Sequence, residues 1–350
     1  MKFGVYKAEL LLFEGEAEEI GLPEASFWSR AGADDDKQEK HGAIADHASA
    51  LEMALRVMAE AGHGEFASIG HRVVHGGADV RDHVRLNGKV LEALRRAIPF
   101  APLHLPASLA VIDAVSKRMP QTPQVICLDT AFHKDLPDVS KTLPFPSKVR
   151  DMGIQRYGFH GLSVESIVEQ LAHVRKRTVV AHLGNGASVT ALHDGKSIDT
   201  SMGLTPAGGV MMGTRCGDTD PGVLLFLLRS GMDAAELETI TDQDAGLEGV
   251  SEKTSDVREL TAARKTDAKS DLALRMFAYQ VKKAIGGMAA ALGGLDELIF
   301  TGGIGEHAQA VRDEICSGMG FLGQYSVKVL PSEEDLQIAR IAHRLLPGSS

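Results

Sequence analysis

His182-Leu183-Gly184-Asn185-Gly186-Ala187-Ser188, entered from the β-branched run Thr178-Val179-Val180, is the stretch that decides the fold. Read as strand, loop and strand, with the second strand over residues 188–192, it places two glycines and a short amide at the turn. Backbone N–H groups there can come close to a phosphate. Asp194-Gly195 then gives a hairpin turn signal, and residues 196–200 return as a third strand. The loops of P-loop and dinucleotide-binding folds leave as a helix, whereas this one leaves as a strand. Neither Gly-x-x-x-x-Gly-Lys-Ser/Thr nor Gly-x-Gly-x-x-Gly occurs in this stretch.

At 350 residues the chain exceeds what one hydrophobic core usually fills, so two domains are expected. The crossing is placed at the linker punctuated by Pro137, Pro144 and Pro146. No apolar run approaches the roughly 18 residues of a membrane helix, and the N-terminus has no signal pattern. The expectation is a cytoplasmic protein with no membrane partner. Cys127, Cys216 and Cys316 are odd in number and widely spaced, which favours reduced core thiols over a disulfide framework or metal site. A net charge of −10 argues against a nucleic-acid partner, yet leaves room for a local Arg and His cluster that binds a small anion.

Other glycine-flanked stretches lie on both sides of the hairpin. Upstream, residues 68–74 read as a strand running into His75-Gly76-Gly77, and Arg72 can offer a bidentate fork to a carboxylate or phosphate. His75 reads as a satisfied structural residue. Residues 124–128 form a short buried strand ending at Asp129, which is either chemistry at a strand end or a helix cap. Tyr157-Gly158-Phe159-His160-Gly161 projects a His from tight backbone, and taken alone that His is more simply structural. Downstream, Arg215 sits among many glycines, either as a presented cation or paired with Asp218 or Asp220. Thr301-Gly302-Gly303 opens a second glycine loop, suited to hold an adenine or ribose.

Helices are expected on the steps Ile44, Ala48, Leu51, Leu55, Met58 and Leu274, Phe277, Val281, Ile285, Met288, with Gly286-Gly287 allowing close approach in the second. Ser332 with Asp335 reads as a cap for the last helix, which puts Glu334 in its first turn. Residues 9–14 alternate weakly, and the polar tract 32–42 reads as loop.

Together these stretches resemble the acetate kinase family, within the acetokinase group of the actin-like superfamily. The resemblance covers nearly the whole chain in ordered blocks: 2–6, 70–77, 101–104, 128–133, 157–161, 181–188, 199–222, 249–258, 300–306 and 330–340. It implies an α/β fold, the two-domain actin-like ATPase (ribonuclease H-like duplicated) architecture. It also implies transfer of the ATP γ-phosphoryl group to acetate, with Mg²⁺ (or Mn²⁺), in a homodimer. By the resemblance, Arg72 contacts the acyl substrate, Asp129 is the catalytic acid position, and His160 and Arg215 stabilise the transition state. His182-Leu183-Gly184-Asn185-Gly186 match the phosphate loop, while Asp256-Val257-Arg258 and Gly303-Ile304-Gly305-Glu306-His307 match the adenosine pocket. Lys2 matches an ATP-site lysine and Glu334 a metal-site carboxylate. The resemblance thus implies a first domain over 1–135 plus 331–350, closed by the C-terminal helix, that holds acyl substrate and metal, and a second over 136–330 that holds the nucleotide.

Some positions depart from the family. His307 replaces an Asn, and Leu105 and the run Gly161-Leu162-Ser163-Val164 replace more polar residues. The family also begins with a strand and an Asn-x-Gly-Ser-Ser-Ser-Leu loop directly before the Lys-Phe-Gly-Val-Tyr found here at Lys2. The expectation is therefore a frame starting at an internal Met, with about a dozen further residues in the native product and unpaired main-chain groups along 2–6 and the next strand. Alternatives are a propionate or butyrate kinase of the same family, and a nucleotide-binding homologue without turnover.

Overall fold

The computed structural model describes residues 1–33 and 35–346. It divides into two units, one formed by Met1–Ala131 with the stretch from Glu333 onward, the other by Phe132–Ser332.

In the first unit β1 (Lys2–Lys7), β2 (Leu10–Glu18), β3 (Ser26–Arg30) and β4 (Gln38–His41) form an antiparallel sheet in that order. Two of these strands correct the sequence reading. β2 continues through Glu18, beyond the weak alternation seen at 9–14, and β4 lies inside the polar tract read as loop. All four residues of β4 are exposed, so no apolar alternation marks it, and main-chain pairing with β3 defines it. Phe13, Ala17 and Phe27 pack on Ala50, Ala54 and Met58 of the helix His47–Glu60, which Asp46 caps through Ser49 N–H at 2.7 Å.

β5 (Ile69–Val73), β6 (Val84–Arg85) and β7 (Gln124–Leu128) make a second sheet ordered β5-β7-β6, with β5 parallel to β7. Val73, Ile126 and Leu128 pack against Leu94, Leu105, Leu109 and Ile112. The opposite face takes the helix Glu334–Arg344. Ile338 lies so close to Gly70 that a Cβ there would come within 2.5 Å of its Cγ2. Among the described residues β1 pairs with β2 alone and β5 with β7 alone, so each has one edge without a strand partner.

In the second unit β8 (Arg177–Leu183), β9 (Ala187–His193), β10 (Lys196–Thr200), β11 (Glu297–Thr301) and β12 (Ser326–Val329) are ordered β10-β9-β8-β11-β12. The central β8 runs antiparallel to β9 and parallel to β11. Asp194 and Gly195, with φ of 49° and 77°, complete the β9–β10 turn that their sequence signalled. Val164 and Ile167 of the helix Gly161–Gln170 pack on Val180, Leu192 and Ile299. The helix Ala268–Leu292 packs on β8 and β9 and buries the apolar face predicted for it. Among the described residues the close approach expected at Gly286-Gly287 is absent: only Phe321, at 3.9 Å, comes near a Cβ built on Gly286, and nothing comes near one on Gly287.

Candidate active site

Parallel register builds the first cluster. Arg72 lies opposite Cys127, and side chains two residues apart share a face, so Asp129 emerges beside Arg72. Arg72 Nη2 donates to Asp129 Oδ2 at 2.9 Å, and Nε lies 3.1 Å from both carboxylate oxygens. Arg72 Nη1 reaches Glu334 Oε2 at 3.3 Å, from the first turn of the helix Glu334–Arg344. The Asp129 charge raises the guanidinium pKa above its ordinary value, burial opposes it, and Glu334 adds to the rise. Lys2 Nζ pairs with Asp335 at 2.6 Å, with both side chains well exposed. His75 is structural: it is fully buried, its Nδ1 accepts from Gly77 N–H at 2.8 Å, and its ring lies 5.0 Å from that of Phe100.

Glu334 also carries a buried oxygen, Oε1, with no hydrogen-bond partner among the described residues. No group of three or more His, Cys, Asp or Glu side chains able to hold a metal occurs among the described residues. Mg²⁺ commonly takes one or two protein carboxylates and completes its shell with water and phosphate oxygens. An orphaned carboxylate oxygen beside Arg72 and Asp129 fits that donor set.

The second cluster grows from the β8–β9 hairpin. Leu183 pairs with Ala187 and His182 with Ser188, which leaves Gly184-Asn185-Gly186 as the loop. His182 and Ser188 share the sheet face of Val180 and Leu192, so both meet the start of the helix Gly161–Gln170. His160 precedes that helix with φ 57° and ψ 24°, a left-handed conformation costing a non-glycine residue about 1 kcal/mol or more. Its Nδ1 lies 3.0 Å from Ser188 Oγ, and its ring stacks on His182 with centroids 4.2 Å apart.

His133 holds this turn from beneath. Its Nε2 lies 3.1 Å from the Phe159 carbonyl and its Nδ1 2.8 Å from Ser197 Oγ. A carbonyl only accepts, so Nε2 carries the proton. Burial pushes the His133 pKa down to about 4, which keeps the ring neutral. Gly158, at φ 73°, leaves space for that ring, because a Cβ there would lie 2.7 Å from His133 Cδ2.

Arg215 completes the cluster. A Cβ placed on Gly186 would lie 3.1 Å from His160 Nε2 and 3.2 Å from Arg215 Nη1, so both nitrogens converge on bare backbone. Nη1 donates to the Pro206 carbonyl at 3.3 Å and makes a long contact of 3.6 Å to Met212 Sδ. The pairing with Asp218 or Asp220 left open by the sequence does not form. Asp218 Oδ1 accepts from Gly209 N–H at 2.7 Å, and Asp220 accepts from Gly222 N–H at 2.8 Å as the cap of the helix Pro221–Arg229. Burial pushes the Arg215 pKa down, against the Asp242 charge. Asn185 and Gly213 brace the segment, with Gly213 N–H donating to the Asn185 carbonyl at 2.9 Å.

The remaining sequence candidates divide by role. Gly302 packs on the Leu183 carbonyl, where a Cβ would come within 2.7 Å, while Gly303 faces open space. Gly305 is buried, Ile304 is half-buried, and His307 is exposed. Glu306 Oε1 accepts from Gly302 N–H and Ser332 N–H, each at 3.0 Å. Asp256 caps the helix Val257–Ala263 and forks onto Arg258, whose hydrogen bonds hold the Asp256 carboxyl down to about 2. Arg258 is otherwise exposed, and Val257 is a core residue.

The expected Ser332 cap is corrected. The helix Glu334–Arg344 starts one residue too late for Ser332 to cap it: Glu333 takes the cap position with no side-chain capping bond, and the Ser332 hydroxyl donates to Ser163 Oγ at 3.1 Å. Sequence reasoning missed Ser163, Ser188, Ser332 and His133 as partners of the site. Hairpin register alone would have placed Ser188 opposite His182, and helical spacing would have placed Ser163 on the face of His160.

Residues 1–340 match the Acetokinase family. An acetate kinase of Thermosynechococcus vestitus is 42% identical over 311 residues, covering 81% of this chain and 75% of that protein. One from Oceanobacillus iheyensis is 38% identical over 339 residues, covering 93% and 85%. Among solved structures, Porphyromonas gingivalis acetate kinase aligns with a TM-score of 0.87 at 34% identity, over 96% of this chain and 94% of that one. A propionate kinase from Francisella tularensis aligns with a TM-score of 0.93 at 33% identity, over 98% and 96%. The fold is that of the actin-like ATPase and sugar-kinase class, and on sequence and structure together the chain belongs to the acetokinase family.

Proposed function

We propose that the chain transfers the γ-phosphoryl group of ATP to acetate, giving acetyl phosphate and ADP, and that it catalyses the reverse. An acetate oxygen forms the new P–O bond in line with the β,γ-bridging oxygen, which leaves on ADP with the bonding electrons. No proton needs to move, because a carboxylate is already ionised at neutral pH. What the reaction needs is alignment and positive charge against phosphoryl oxygens that repel an anionic nucleophile. The observation that carries this reading is the convergence of His160 Nε2 and Arg215 Nη1 on the bare backbone of Gly186, with neither Asp218 nor Asp220 engaging the guanidinium.

In this reading His182-Leu183-Gly184-Asn185-Gly186 cradle the phosphates, and His160 and Arg215 donate to the equatorial oxygens as charge builds. Arg72 binds the acyl carboxylate, and Asp129 holds that guanidinium in place. Glu334, through its orphaned oxygen, would hold Mg²⁺ (or Mn²⁺), which supplies charge neutralisation on the phosphates when bound. Gly303–His307 and Asp256–Arg258 would take the adenosine, and Lys2 would lie on the ATP side. The first unit thus handles acyl group and metal, the second the nucleotide, in a cytoplasmic enzyme. A homodimer is supported by the helix Pro221–Arg229, which has no buried residue and exposes Val223, Leu225, Phe226 and Leu228.

Similarity to a propionate kinase makes the longer acyl substrate a second reading. Hydroxamate trapping of acyl phosphate from ATP with acetate, propionate or butyrate tests both. Highest kcat/KM with acetate is expected, and absence of product with all three would refute the kinase reading.

A further inference from the structure

A hydrogen-bonded line runs through the second unit from the 302–307 loop to the stacked histidines. Glu306 Oε1 accepts from Gly302 N–H and from Ser332 N–H, each at 3.0 Å. Ser332 Oγ donates to Ser163 Oγ at 3.1 Å, and Ser163 Oγ lies 2.8 Å from His182 Nδ1. Ser163 is fully buried in the first turn of the helix Gly161–Gln170. A hydroxyl has one proton to give. With Ser332 supplying the proton in the bond between the two serines, Ser163 keeps its own proton and can donate it to His182. In that arrangement Nδ1 accepts and the ring carries its proton on Nε2. That edge borders the loop, since a Cβ on Gly184 would lie 3.5 Å from His182 Nε2.

We propose that Ser163, set in turn by Ser332 and Glu306, is a positioning residue that holds His182 in its Nε2–H tautomer, so that the ring presents a donor to phosphate oxygens. The proposal rests on the reading of Gly184-Asn185-Gly186 as the phosphate loop. The opposite tautomer would aim a lone pair at an anionic oxygen, which is repulsive where the first is attractive. Glu306 ties the same line to the glycine loop proposed for the adenosine. Nucleotide contacts that order residues 302–307 therefore also steady the donor at the other end.

The test is to label the histidines of the full chain with ¹⁵N and read the imidazole nitrogens of His182, assigned by loss of its signals in His182→Asn. Wild type and Ser163→Thr should both show a bare Nδ1 and a protonated Nε2. Ser163→Ala should admit protonation at Nδ1 and lower kcat about tenfold, the scale of one lost hydrogen bond. KM for ATP and acetate should stay within about twofold, and Ser163→Thr should recover kcat. Ser332→Ala should also admit the second tautomer, and it provides the reading if Ser163→Ala does not fold. A proton on Nδ1 in wild type overturns the proposal, as does an unchanged tautomer in both alanine variants. Since the tautomer is read without substrate, that result stands apart from whether the chain is a kinase.

Discussion

The Arg72 guanidinium is forked onto the Asp129 carboxylate, with Nη2 2.9 Å from Oδ2, while its Nη1 points to Glu334. Two residues far apart in sequence are thereby fixed as one unit by the parallel register of β5 and β7. If this unit receives the acyl carboxylate, Arg72→Ala should lower kcat/KM by at least roughly a hundredfold. Arg72→Lys should recover little, because an ammonium cannot supply the fork. Asp129→Asn, which keeps the shape but drops the charge, should cost at least about tenfold. Steady-state hydroxamate assays decide this, and near-normal turnover of Arg72→Ala would remove the residue from the site.

At the hairpin, Arg215→Ala should likewise cost at least roughly a hundredfold in kcat/KM. His160→Ala should lower kcat more than it raises KM for acetate, as expected of a group acting mainly on the transition state. A pure KM effect would reassign His160 to substrate binding.

Gly186→Ala separates positioning from folding. The new methyl would lie 3.1 Å from His160 Nε2 and 3.2 Å from Arg215 Nη1, tighter than those nitrogens accept without moving. About tenfold or more should be lost in kcat, the scale of one misplaced donor, with little change in thermal midpoint. Unchanged kcat would show that the two nitrogens do not work at this loop.

The hairpin was legible because its signals are local: a β-branched run, two glycines, and Asp194-Gly195 at positive φ. Arg72, Asp129 and Arg215 stand out in the sequence by residue type and setting, and His160 only as a structural residue; the roles proposed for all four rest on resemblance, since they depend on neighbours that sequence spacing does not reveal. Arg215 illustrates the difficulty, because two nearby aspartates were equal candidates until main-chain N–H groups were seen to occupy them. Ser332 was misread for a related reason. Its spacing to Asp335 fits a cap, but the helix begins one residue later with Glu333 at the cap position, and the Ser332 hydroxyl bonds Ser163, 169 positions away. β4 was not legible because pairing with β3, rather than burial of its own side chains, makes it a strand.

The helix Pro221–Arg229 predicts self-association. Phe226 is 66% exposed and Leu225 49%, an unusual concentration of apolar surface on nine residues. Light scattering coupled to size exclusion should find a dimer, and Leu225→Glu with Phe226→Glu should shift it to monomer while leaving secondary structure intact. A wild-type monomer at micromolar concentration would rule out the proposed homodimer.

Stability should fall on mild acidification, and His133 gives the sign. Burial lowers its folded pKa to about 4, with the Phe159 carbonyl opposing, whereas the unfolded chain titrates near the ordinary 6.5. Between those values the unfolded state binds more protons, so stability is full above about 6.5 and is lost as pH falls toward 4. At about 1.4 kcal/mol per pH unit, this one ring is worth about 3 kcal/mol across the window. His71, buried beside Gln124 and also lowered to about 4 by burial, adds a second contribution of the same sign. His133→Gln retains a donor for the Phe159 carbonyl but does not titrate. Urea midpoints measured from about pH 7 to about pH 5 should therefore fall less steeply in this variant than in wild type. Equal slopes would show that His133 is not held neutral by the fold.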